Sequence, residues 1–176
     1  MKVLIINSSP RTGGNSDLLC GQFAKGAAKA GHEVEKVNLR EKNLSPCRAC
    51  CVCMGNHICA IQDDMTEILP RLVSADVIVM ASPVYFYSLG SQMKMLIDRC
   101  LVNHKAISGK QFYFIITAAD PQHESAHEAL AAFRGFLRCL PAAKEAGVIY
   151  GTGTWDMGDV YQHPAYNQTY EMGNQI

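Results

Sequence analysis

Apolar positions fall in short blocks that alternate with amphipathic stretches of helical period, and the alternation recurs along the chain. Lys2 to Asn7 (KVLIIN) is a continuous apolar run, as expected of a central parallel strand covered on both faces. A turn-rich stretch, Ser8 to Asn15, leads into Ser16 to Ala30, where Leu18, Leu19, Gln22, Phe23, Ala27 and Ala30 approximate one helical face ended by Gly31. Glu33 to Leu39 alternates Val34, Val37 and Leu39 with charged residues, which suits a more exposed strand. Residues 40 to 62 carry no clear period. Asp63 or Asp64 can cap a helix running to Val73, with Pro70 as a kink or early stop. Val77 to Ala81 predicts a strand, Ser82 to Gly90 a loop and Ser91 to Val102 a helix; Phe112 to Thr117 opens the unit again. After Asp120-Pro121, a helix is expected from His123 to Leu140, closed by Pro141, and Glu145 to Tyr150 supplies the last strand.

Strands alternating with helices imply right-handed crossovers and a parallel sheet with helices on both faces. Five strands favour the order 2-1-3-4-5, with the ligand crevice between the first and third strands at their carboxyl ends. The length, 176 residues, predicts one domain over 1–176, with a cysteine-rich loop at about 40–62. A tail at about 151–176 is expected to add a short helix near Pro164 to Gly173, lying on the domain or on a neighbouring subunit.

Composition narrows the function. The formal charge is zero, so no basic face for nucleic acid is expected. The longest apolar runs are far too short to cross a bilayer and have no signal-peptide flanks, which makes no membrane association and a cytoplasmic location the expectation. Eight cysteines accompanied by a large aliphatic core read as metal, cluster or redox chemistry rather than a disulfide scaffold.

Between the first strand and helix, Ser8, Ser9, Arg11, Thr12, Asn15 and Ser16 offer polar donors, and Gly13 and Gly14 let the backbone approach closely. Backbone amides at the positive end of a helix favour an anion, so this is a phosphate cradle or else an ordinary capped turn. Without the G-x-G-x-x-G spacing, a mononucleotide fits better than a dinucleotide. After the third strand, Ser82-Pro83-Val84-Tyr85-Phe86-Tyr87 sets three aromatics where a flat ring could stack, unless they pack in the core or at an interface.

These two stretches, N-S-S-P-R-T-G-G-N-S at 7 to 16 and S-P-V-Y-F-Y-S-L-G-S-Q-M-K-M-L-I-D-R at 82 to 99, resemble the NADPH-dependent FMN reductase and iron-sulfur flavoprotein families. The resemblance runs along almost the whole chain, through the cysteine loop at 47 to 59, Asp63-Asp64-Met65 and Gly158-Asp159-Val160. Ser8 departs from it, since relatives often have Gly there. The resemblance implies an α/β, flavodoxin-like three-layer sandwich that binds FMN. It implies that Ser9, Arg11, Gly13, Asn15 and Ser16 hold the phosphate, and that Pro83, Val84, Tyr85, Phe86 and Tyr87 line the isoalloxazine ring. Ala118, Ala119 and Asp120 would form the third loop. It also implies a homodimer or homotetramer.

Cys47, Cys50, Cys53 and Cys59 read C-x2-C-x2-C-x5-C, with Cys51 as an extra thiol. Thiolates so spaced can wrap a [4Fe-4S] cluster, and the run resembles the compact motif of iron-sulfur flavoproteins. Zinc and unliganded thiols are the other readings. Cys20, Cys100 and Cys139, on predicted helices, read as core residues. His123-Glu124-Ser125-Ala126-His127 spells the H-E-x-x-H of zinc hydrolases, on a helix that begins beside the flavin loop.

The function expected is therefore an FMN-dependent oxidoreductase passing electrons from NAD(P)H or ferredoxin through flavin to a small-molecule acceptor. A non-enzymatic electron carrier or redox sensor is the rival, and a zinc hydrolase a remote third. Hydride transfer to a flavin requires no side-chain acid or base, so no catalytic residue is assigned; Tyr85, Tyr87, Asp120 and His123 are candidates for orientation or proton supply.

Overall fold

The computed structural model describes residues 1–176. Its strands are β1 (Lys2–Asn7), β2 (Glu33–Asn38), β3 (Val77–Tyr85), β4 (Ser88–Leu89), β5 (Gln111–Ala118) and β6 (Lys144–Thr152). Its helices are α1 (Asn15–Lys29), the single turn α2 (Cys53–Asn56), α3 (Met65–Ser74), α4 (Ser91–Arg99), α5 (His127–Arg138) and α6 (Ala165–Asn174). The parallel strands run in the order β2-β1-β3-β5-β6, with β4 antiparallel to β3 at its far end. This is the expected 2-1-3-4-5 arrangement of five parallel strands, with one extra hairpin strand. The chain leaves β1 toward β2 on one side and reaches β3 on the other, so the loops after β1 and β3 part at a switch point.

Alternation along the strands sorts the core into two layers. Leu4, Ile6, Ile78, Met80, Phe112, Phe114 and Ile116 point to one face, where α3, α4 and α5 cover them. Val3, Ile5, Val77, Val79, Ala81, Tyr113 and Ile115 point to the other, under α1 and α6. Both faces of each central strand are buried, which is why these strands read as continuous apolar runs.

The tail helix α6 lies on this same domain, directly on α1. A Cβ at Gly26 would come 2.1 Å from the Tyr170 carbonyl, and one at Gly173 would come 2.4 Å from the Phe23 carbonyl. The two helices thus touch backbone to backbone through their glycines.

Some boundaries differ from the sequence reading. Pro70 neither ends nor splits α3, which continues to Ser74. The expected helix from His123 is divided: His123–Ala126 forms a 3-10 turn and α5 begins at His127. β3 runs four residues past Ala81 because its end pairs with β4. No helix is long and apolar enough to cross a membrane.

Candidate functional site

The loop after β1 is built on Asn7 and Asp17. Asn7 is fully buried; its Oδ1 accepts the Ser9 amide at 3.1 Å, and its Nδ2 donates to Asp17 Oδ1 at 3.0 Å and to Asn38 Oδ1 at 3.1 Å. Asp17 Oδ2 accepts the amide of Gly13 at 2.9 Å, holding that residue at φ +69°, a left-handed conformation that glycine adopts without strain. Burial alone would raise the Asp17 carboxyl, but Lys36, the Gly13 amide and Arg40 outweigh it and hold the group below its ordinary value. A Cβ at Gly14 would press on Arg11 and on Ser9 Oγ, both 3.0 Å away, so the chain closes tightly there. The first amides of α1 follow, without intrahelical acceptors. Ser8, the departure from the resemblance, is buried and donates its hydroxyl to the Ala81 carbonyl at 3.0 Å, so the extra side chain is absorbed by β3.

The side chains of this loop are largely engaged. Ser9 Oγ donates to the Arg11 carbonyl at 3.2 Å, and Ser16 Oγ lies 2.7 Å from Thr117 Oγ1 on β5. Asn15 donates to the Asp156 carbonyl at 2.8 Å and accepts the Gly158 amide at 3.1 Å, tying the tail to the start of α1. Arg11 Nη1 donates to the Trp155 carbonyl at 3.1 Å. What the loop leaves for an anion is chiefly backbone N–H and the Arg11 charge.

One cleft gathers three loops: Ser9, Arg11, Gly14, Asn15 and Ser16 after β1, Pro83, Val84 and Tyr85 from β3, and Thr117, Ala118 and Ala119 from β5, with Thr154 and Trp155 closing it. Gly13 shapes the loop without lining the cleft. Asp120 also stays outside the wall: its carbonyl accepts the Gly153 amide at 2.9 Å and its carboxylate accepts the Gln122 amide at 2.8 Å. Phe86 and Tyr87 sit at the tip of the β3–β4 hairpin, outside the wall, with φ of 48° and 60°; Phe86 is fully exposed. Thr117, Thr154 and Trp155 were not singled out in the sequence. The chain's only Trp in a Gly-rich tail was the one visible signal for them.

Cys47, Cys50, Cys51, Cys53 and Cys59 line a separate narrow pocket with Asp98, Arg99, Leu101 and Val102. None of them is in a disulfide. The Ala49 amide points at Cys47 Sγ and the Ile61 amide at Cys59 Sγ, each at 3.4 Å. No three of them meet at one ion position. That geometry disfavours zinc, which needs convergence on one centre, whereas in a cluster each thiolate binds its own iron. The set fits a cluster in residue type, shared pocket and N–H donors to sulfur, and the loop would have to spread to admit one. Cys20 and Cys100 are buried and their thiols are pushed up to about 12 by burial, as core residues should be. Cys139 differs: it is exposed, just past α5.

The H-E-x-x-H segment does not form a metal centre. His123 lies in the 3-10 turn with its ring stacked on Tyr150, centroids 4.8 Å apart, while His127 starts α5. No group of three His, Cys, Asp or Glu forms around them.

The family model for NADPH-dependent FMN reductase matches residues 1–151. An iron-sulfur flavoprotein of Methanocaldococcus jannaschii is 43% identical over 99 residues, which are 56% of this chain and 51% of that protein. One from Methanosarcina thermophila is 36% identical over 102 residues, 58% of this chain and 53% of that protein. The chain thus matches about half the length of these relatives. Among solved structures, an FMN-dependent NADH-azoreductase from Bacillus anthracis in complex with FMN superposes with a TM-score of 0.76 at 17% identity, over 99% of each chain. At that identity the likeness speaks for the fold.

Proposed function

The chain belongs to the NADPH-dependent FMN reductase family, and from that membership we propose that it is an FMN-dependent oxidoreductase moving electrons from NAD(P)H or ferredoxin to a small acceptor. The observation that carries this reading is the single cleft lined by the loops after β1, β3 and β5 at the switch point of the sheet. A monoester phosphate fits the first loop without a metal, because helix-start amides, the Gly14 turn and the Arg11 guanidinium together oppose its charge. When bound, FMN supplies a ring system that takes electrons as a hydride and releases them singly or in pairs.

The residues of the chain bind and orient. Pro83, Val84 and Tyr85 offer a flat edge to the ring, and the small side chains of Ala118 and Ala119 let backbone donors approach it. Ser16 and Thr117, bonded to each other, fix the distance between the first loop and β5. Trp155, whose backbone is held through Arg11 and through Asp159, which accepts the Trp155 amide at 2.8 Å, lines the cleft at its edge. Tyr85 is the polar side chain of the wall best placed to orient a substrate or hand over a proton. Asp120, Tyr87 and His123 lie outside that wall, which leaves them peripheral.

Cys47, Cys50, Cys53 and Cys59 would hold a [4Fe-4S] cluster that passes single electrons to or from the flavin. Support comes from their common pocket and from the names of the relatives. The exposed Phe86 and Tyr87, set beside a cleft they do not line, support a homodimer or homotetramer.

Steady-state oxidation of NADH and NADPH, with and without added FMN, tests the reading. FMN-dependent turnover with either nicotinamide is expected. Exchange of electrons with reduced ferredoxin and no nicotinamide turnover would point to ferredoxin as donor; neither activity in the FMN-loaded protein would sink the oxidoreductase reading.

A further inference from the structure

The cysteine segment is a loop with a built neck. The chain enters it past Ser45 and leaves it past Ile61 and Asp63, and both sides of the neck meet one side chain, Arg99 at the end of α4. Arg99 Nη1 donates to the Ser45 carbonyl at 2.8 Å and to Asp63 Oδ2 at 2.6 Å. Nη2 donates to the Ile61 carbonyl at 3.3 Å and to Asp63 Oδ1 at 2.9 Å. Asp63 Oδ2 also accepts the Ser45 amide at 2.9 Å, closing the ring of contacts. The two charged side chains are 1% and 2% exposed.

Taking such a pair out of water is costly and is sustained only where nearly every donor and acceptor is used. Here one is not: the Arg99 Nε N–H is buried and has no partner. Arg99 is also one of the residues that line the pocket of Cys47, Cys50, Cys51, Cys53 and Cys59. Burial works against its charge, and the paired Asp63 carboxylate sustains it.

We propose that Arg99 is the positioning residue of the cysteine loop, its terminal nitrogens holding the neck shut at Ser45, Ile61 and Asp63 while its spare Nε N–H and charge serve the group bound by the thiols. The second half rests on the cluster reading given above. A buried cation beside a cluster favours the reduced, more negative state and so raises its potential. The neck also explains how the exposed part of the loop can spread around a cluster while its two ends stay fixed.

The test compares wild type with Arg99→Lys, which keeps the charge but loses the fork, and with the double variant Arg99→Met/Asp63→Leu, which removes both charges so that neither is stranded. Each protein is reconstituted anaerobically with iron and sulfide. Iron and acid-labile sulfide per chain, the cluster potential and proteolytic cleavage between residues 45 and 63 are read, with FMN uptake as the control for folding. In both variants FMN uptake should persist, iron affinity should fall by about 10- to 100-fold, the range for loss of a group that supports metal ligands, and loop cleavage should be faster. Any cluster kept by the double variant should titrate at a lower potential. Variants equal to wild type in iron, potential and cleavage overturn the assignment. If wild type itself takes up neither iron nor sulfide, the cluster reading fails, and cleavage alone decides: faster cutting in the variants upholds Arg99 as the clasp, and equal cutting rejects it.

Discussion

At the scale of single residues, Asp17 organises the cradle although it is an anion beside an expected phosphate. Its role is to hold Gly13 and to absorb Lys36 and Arg40, as the 2.9 Å Gly13 bond and the ion pairs indicate. Asp17→Asn is expected to loosen the loop and weaken FMN binding by about tenfold, the worth of one charge-assisted hydrogen bond; quenching of FMN fluorescence on titration measures it. The same carboxyl makes stability pH-dependent. Asp17, Asp63 and Glu145 are all held below their ordinary values. Their contribution is therefore full above the ordinary carboxylate range and is lost as pH falls through their lowered values. The melting temperature should drop steeply on acidification below about pH 4, and Asp17→Asn should flatten that drop. The glycines and hydroxyls of residues 8 to 16 were legible because a tight turn before a helix has few chemical solutions. The partners of Asn15 were not: they are tail amides more than 140 positions away, reached through a stretch with no period.

Among the elements, two contacts depend on backbone geometry that hydrophobic pattern does not encode. The first is α1 on α6. Gly26→Ala or Gly173→Ala forces the helices apart, and a loss of about 1–3 kcal/mol is expected from such overpacking, read by urea denaturation. The pattern located a short final helix but left open whether it lay on its own domain or on a neighbour, and the decisive glycines look like ordinary helix-weakening residues. The second is the β3–β4 hairpin. Its two central residues both take positive φ, the conformation for which Asn-Gly is preferred, yet here they are Phe86 and Tyr87. β4 was missed for that reason, since aromatic residues give no turn signal. Tyr87→Gly should relieve about 1–2 kcal/mol of left-handed strain, so its melting temperature should rise.

Across the whole molecule, the five parallel strands were readable from alternation, because both faces of the sheet are buried and strand and helix periods differ, while their order came from the arrangement that five-stranded doubly wound sheets favour. The cleft was readable as a place, the end of the sheet where connections diverge, and through its loops: the first two from their own residues, the third, Ala118 and Ala119, only through the family resemblance. Its closure by Thr154 and Trp155 depends on the Thr154 amide reaching the Ala118 carbonyl at 2.9 Å, a long-range bond with no local signature. Exposed Phe86 lies at the hairpin tip, and exposed Trp155, Met157 and Tyr161 lie in the tail. Phe86→Ser should shift the protein toward monomer in light-scattering chromatography without loss of FMN, since Phe86 does not line the cleft.

The most direct test of the central claim is the ultraviolet-visible spectrum of anaerobically purified protein, followed by titration with FMN and, separately, with riboflavin. Flavin bands as purified, or saturable uptake of FMN about tenfold or more tighter than riboflavin because of the phosphate contacts, is the expected result. A colourless protein that takes up neither, or that fails to distinguish them, would contradict an FMN site built on the loop between β1 and α1.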